Sequence, residues 1–170
     1  MAAAAAILII GSFSVLNLFQ NGGYAIEPIS SIELDYYRSS EGVINETENS
    51  DLIIRAISLA NSGEIESAVS LIDSEIAILE DGERKMELLV TAGSIYYNAN
   101  RFDEAIERFE NALDIETQNV ILKEQNYWYL GNTYFQLNKI VEARQALEKA
   151  YDLNGAYSRI AQSYIKALSD

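Results

Sequence analysis

Hydrophobic and polar positions divide the chain into three stretches. From Met1 to Ile26 no side chain is charged, and Ala2–Phe19 (AAAAAILIIGSFSVLNLF) has polar interruptions only at Ser12, Ser14 and Asn17. As a helix this run would extend about 27 Å, close to the thickness of a bilayer's hydrocarbon core. A surface helix would show a polar face, and this run has none. The pattern therefore predicts one hydrophobic helix within residues 1–26, read first as a retained single-span membrane anchor through residues 2–19. Gly23-Tyr24-Ala25 is a small-x-small tripeptide following the run, as at a signal-peptide cleavage site, although the positive stretch that opens such signals is missing. A helix buried in the domain is the third reading. Residues 27–48 contain the only proline, Pro28, an acidic excess and no sustained period, which reads as an irregular acidic linker.

From Asn49 onward the period becomes helical and the chain repeats itself. Met86–Thr117 superposes on Glu124–Gly155, placing Gly93 on Gly131, Tyr96 on Tyr134, Ala105 on Ala143, Phe109 on Leu147 and Ala112 on Ala150. These residues resemble the tetratricopeptide repeat (TPR) family, whose pattern W-x2-L-G-x2-Y, then A-x3-F, is met by Tyr127-x2-Leu130-Gly131-x2-Tyr134 and by Ala105-x3-Phe109. Tyr127 stands where the family usually has Trp, and Gly155 where Pro commonly ends the unit. A fainter copy precedes them, with Leu52, Ala56, Leu59, Ala68 and Ile72 in register, Asn61-Ser62-Gly63 as its turn and Glu75 in place of the second small Ala. Register spacings of 37 and 38 residues exceed the family's 34, so extra residues are expected at Leu79–Arg84 and Gln118–Lys123.

Two antiparallel helices approach closely only where side chains are small, which Gly93, Gly131, Ala105, Ala143, Ala112 and Ala150 provide, while Tyr96, Tyr134, Phe109 and Leu147 are expected to fill the space between successive pairs. Each hairpin leaves an apolar face that the next must cover, and the last needs a cap. Ala156–Leu168 supplies one, with Ile160, Tyr164 and Leu168 as its predicted buried stripe. The expected fold class is all-α, a helical-hairpin solenoid of three TPR-like repeats plus a C-terminal capping helix, preceded by one hydrophobic helix. The domains are then residues 1–26, the hydrophobic segment; 27–48, the linker; and 49–170, the repeat domain.

Composition narrows the chemistry. The 170 residues include no His and no Cys, which removes imidazole acid/base catalysis, thiol nucleophiles, disulfides and Cys/His zinc sites. No Gly-rich phosphate loop, GxSxG or HExxH occurs, so no enzyme activity, cofactor or metal site is expected. Twelve basic against 26 acidic side chains, a net charge of −14, suit nucleic acid poorly, because binding its phosphates relies on Lys and Arg. Between Glu27 and Glu48 six acids face one base, Arg38, and no Lys or Arg precedes the apolar run. With no positive flank to retain it, the repeat domain is expected on the non-cytoplasmic side: periplasm, lumen or exterior.

The TPR resemblance also implies where a partner sits. The first helix of each hairpin lines the concave surface, which assigns to it Ile53, Ile57 and Ala60, then Val90, Ser94, Tyr97 and Asn98, then Trp128, Asn132, Phe135 and Gln136. None is basic, whereas the family branch that clamps a terminal carboxylate needs Lys or Arg there. What remains suits an apolar or aromatic helix, or an extended peptide whose backbone bonds Asn98 and Asn132. Trp128 is the expected anchor, with packing against the cap as the alternative. Glu107, Glu110, Asp114, Glu142 and Glu148 read as a solvated convex face. The expected function is a membrane-anchored protein–protein interaction module, an accessory subunit or assembly factor of a membrane protein complex. A signal-cleaved periplasmic or lumenal scaffold or chaperone is the alternative.

Overall fold

The computed structural model describes residues 26–34 and 46–169, with residues 26–34 in irregular, extended backbone. Seven helices follow among the described residues: α1 (Glu46–Asn61), α2 (Ile65–Ile76), α3 (Gly82–Asn98), α4 (Phe102–Leu113), α5 (Val120–Gln136), α6 (Ile140–Asp152) and α7 (Ser158–Ala167). They form the hairpins α1–α2, α3–α4 and α5–α6, closed by α7. The hydrophobic helix expected within residues 1–26 lies outside the described residues, and among those described no helix is long and apolar enough to cross a membrane.

The turn inside each hairpin is built the same way. Gly63, Asn100 and Asn138 take left-handed φ angles of 85°, 59° and 57°, a conformation open to Gly and tolerated by Asn. The next N–H reaches back to the carbonyl five residues earlier: Glu64 to Leu59 (2.9 Å), Arg101 to Tyr96 (2.9 Å) and Lys139 to Tyr134 (2.9 Å). This bond satisfies a carbonyl that the helix end would otherwise leave bare. Arg101 and Lys139 then lie over the rings of Tyr96 and Tyr134, at 4.6 and 5.9 Å from the centroids. Between hairpins, side chains start the helices instead. Asp81 accepts the Glu83 N–H at 2.9 Å and Asn119 that of Leu122 at 3.0 Å. The extra residues expected near Leu79–Arg84 and Gln118–Lys123 go partly into these capped first turns, since α3 and α5 each run to 17 residues.

Close packing explains Gly93 and Gly131. A Cβ would lie 2.6 Å from the Phe109 ring at Gly93 and 2.7 Å from the Leu147 side chain at Gly131. Phe109 and Leu147 thus fill the space within their own hairpins, facing those glycines, which corrects the expectation that they fill the space between successive pairs. The Phe109 ring also reaches the next hairpin, 6.0 Å from that of Tyr129. Fully buried Ala56 holds the equivalent place in the first hairpin.

The cap departs from the predicted stripe. Ser158, Ala161, Tyr164 and Leu168 are buried, whereas Ile160 is 44% exposed. The helix is rotated because Ala161, fully buried, lets α7 settle closely, and a count of large apolar residues overlooks it. Glu124 secures this end. Its fully buried carboxylate accepts the N–H groups of Gly155 (2.9 Å) and Tyr157 (3.0 Å), tying α5 to the turn that leads into α7.

Candidate functional site: a concave groove holding an extended segment

Residues 26–34 lie along the concave face as a strap, held mainly through its main chain. Asn98 pairs with both main-chain groups of Ile32: the N–H donates to Oδ1 at 2.7 Å and Nδ2 donates to the carbonyl at 2.7 Å. Ile29 is held on both sides as well. Its N–H donates to Asn132 Oδ1 at 3.1 Å, and its carbonyl accepts from the Tyr97 hydroxyl and from Gln136 Nε2 at 2.9 Å. Gln136 Nε2 also donates to the Tyr97 hydroxyl at 3.0 Å, and Tyr164 on α7 donates to the Glu27 carbonyl at 2.9 Å. Asn132 in turn is oriented by donating to the Trp128 carbonyl at 2.9 Å.

Side chains add a second layer. Ile32 is 3% exposed and belongs to the hydrophobic core, with Ile26, Ile29 and Leu34 packed against it. Ser30, Ser31 and Glu33 point to solvent. Ile29 runs beside an open cleft of about 720 Å³ whose walls include Trp128, Tyr157 and Ile160. Trp128 is itself 3% exposed, stacked 5.9 Å from Tyr157 and meeting Tyr164 edge-on at 4.9 Å. It therefore packs against the cap and forms a cleft wall at once.

The residues expected on the concave surface divide into two groups. Tyr97, Asn98, Asn132 and Gln136 hold the strap, and Trp128 stands beside it. Ile53 and Val90 are buried in the core, Ile57 and Ala60 are half-buried, Ser94 is buried with its hydroxyl on the Val90 carbonyl (2.8 Å), and Phe135 is buried 6.4 Å from the Tyr164 ring. Tyr164 was not among the expected groove residues. Its sequence signal, an aromatic on the cap, pointed only to packing.

Burial controls the acid–base behaviour of the two phenols. It pushes Tyr97 up from the ordinary 10 to about 12, while the Gln136 bond pulls weakly the other way. Burial likewise raises Tyr164. Both remain neutral donors at physiological pH, as carbonyl binding requires. Among the described residues no group of three or more acidic side chains could hold a metal ion.

Residues 87–119 and 125–157 match the family model of the tetratricopeptide repeat. The chain contains tetratricopeptide repeats. Such repeats are protein-interaction modules, and their all-helical fold is typically a scaffold without catalytic activity. The hairpin α1–α2 lies outside the matched segments yet closes with the same turn at Gly63. A comparison with curated proteins finds no match.

Proposed function

We propose that this chain is a membrane-held interaction module whose concave groove binds an extended segment of a partner protein, as an accessory subunit or assembly factor of a membrane protein complex. The observation that carries this reading is the fastening of Ile29 and Ile32: Tyr97, Asn98, Asn132 and Gln136 bond main-chain groups, the part of a peptide common to all sequences. The uncharged run through residues 2–19 supports the anchor, and the acidic flank after it supports a repeat domain on the non-cytoplasmic side. Eight chain steps separate Phe19 from Glu27, so a docked strap would keep the groove within about 30 Å of the end of the span. Short tethering of this kind raises the effective concentration near membrane partners, and modest affinity suffices.

A photo-crosslinker in place of Ile57, applied in native membranes, tests the binding role. The expected product joins this chain to an integral membrane protein; linkage only to the chain's own residues would refute it. Protease digestion of sealed vesicles should reach the repeat domain only from the non-cytoplasmic side. The second reading, a processed soluble scaffold, is favoured by Gly23-Tyr24-Ala25, because cleavage after Ala25 would leave the whole strap as a new N-terminus. A mature chain starting at Ile26 would establish it in place of the anchor.

A further inference from the structure

The strap and the repeats share a register. The first helix of each hairpin ends in a primary amide: Asn61 on α1, Asn98 on α3 and Gln136 on α5. These three positions are 37 and 38 residues apart, the repeat spacing itself, and each lies two residues before the left-handed turn residue. Gln136 donates to the carbonyl of Ile29 and Asn98 to that of Ile32, so one repeat reads one residue in every three. Isoleucine recurs on the same period, at Ile26, Ile29 and Ile32. A period of three belongs to the polyproline II helix, whereas a strand alternates every two, and Pro28 within the strap suits the former.

The ladder has a third rung. Asn61 is exposed at the end of α1, and no described residue bonds its amide. The half-buried apolar side chains Ile57 and Ala60 lie just before it on the same helix. In the strap's own sequence the next position of the period is Asp35, a carboxylate where Ile26, Ile29 and Ile32 are apolar. The sequence of this chain thus breaks the period at the repeat whose amide no described residue bonds.

We infer that the groove is built for a partner's extended, three-residue-period segment with apolar residues at three consecutive positions of that period, read by Gln136, Asn98 and Asn61, and that the strap is a shorter resident that such a segment displaces. This rests on the binding role proposed above and names the class of ligand. The strap is tethered to the domain, so it competes at high effective concentration and lowers the apparent affinity for any outside segment. An apolar third residue would gain from burial beside the half-buried Ile57 and Ala60, where a carboxylate would lose its hydration.

The test uses the full chain in detergent, with its single tryptophan, Trp128, as the fluorescent reporter beside the strap. Three peptides are titrated: residues 26–36, the same peptide carrying Asp35→Leu, and one carrying Asp35→Asn. They are added to the native chain and to an Ile29→Ser/Ile32→Ser chain whose strap has lost its anchors. The Asp35→Leu peptide should bind about tenfold tighter than the other two. Asn61→Ala in the chain should reduce that preference while leaving affinity for the 26–36 peptide unchanged. Equal binding of the Leu and Asn peptides, or a preference indifferent to Asn61→Ala, overturns the inference and leaves the groove reading standing. Failure of every peptide to bind the strap-released chain overturns both. A native dimer with exchanged straps would give the groove to a second copy and also refute the inference. Should the double variant fail to fold, amide exchange in the full chain decides instead. Asp35→Leu in place should slow exchange at Ile29 and Ile32 about tenfold, Asn61→Ala should cancel this, and no slowing counts against the inference.

Discussion

The concave and convex faces of this solenoid hold their contacts by different physics. On the concave side Tyr97, Asn98, Asn132, Gln136 and Tyr164, all neutral, bond the main chain of residues 27–32. On the outer side exposed Glu107, Glu110, Asp114, Glu142 and Glu148 carry charge, and the ties between neighbouring hairpins include ion pairs such as Asp73 with Arg108 and Asp103 with Lys139. Exposed ion pairs are weakened by water and salt, while bonds between neutral groups to a partly buried main chain lose little to salt. The difference shows that the net charge of −14 describes the outside of the molecule and says little about its concave row.

The largest effect is expected where the strap meets the core. Ile32→Ala, at a residue 3% exposed, should cost about 2–4 kcal/mol of strap docking, seen as faster exchange of the Ile29 amide with α3 and α5 unaffected. Asn98→Ala removes both bonds to Ile32 and should cost about 1–3 kcal/mol by the same measurement. Addition of 0.5 M salt, which cuts the usual Debye length to about half, should leave both values nearly unchanged.

Alkali should loosen the concave face. Tyr97 binds its proton more tightly when docked, with its pKa raised to about 12, so its contribution is complete below the free phenol's pH 10 and is lost as pH climbs from about 10 through 12. Tyr164, also raised, acts in the same direction. Trp128 emission should follow this transition, and Tyr97→Phe should flatten it; an unchanged profile would deny that Tyr97 fastens Ile29.

Outer-face changes should be smaller and salt-sensitive. Arg108→Gln breaks the two-pronged pair with Asp73, at 2.6 and 2.9 Å, and should cost about 1 kcal/mol in urea unfolding. Arg144→Gln loses only a 3.5 Å contact with Glu148 on the exposed side of the same helix and should cost less than about 0.5 kcal/mol. An Arg144→Gln effect equal to that of Asn98→Ala would erase the contrast between the faces.

Legibility followed the same division. Helical period and the recurrence of Gly93 with Gly131 and Ala105 with Ala143 were visible because sterics at a helix crossing select residue type. Asn98 and Asn132 were readable as groove amides through the TPR resemblance. Glu124 was not, since an acid in a helical sequence looks solvated until the Gly155 and Tyr157 N–H groups close over it. Ala161 was hidden by its size, which shifted the predicted cap stripe to Ile160.

By itself, then, the sequence determined three hairpins, their register of 37 and 38 residues and the neutral chemistry of the concave row, because side-chain volume and polarity encode these locally. Tertiary structure alone decided that residues 26–34 lie in that row. Three isoleucines three residues apart do not say which surface a segment held by its carbonyls and amides will meet, and its partners, on Tyr97, Asn98, Asn132, Gln136 and Tyr164, are between 66 and 137 residues away along the chain.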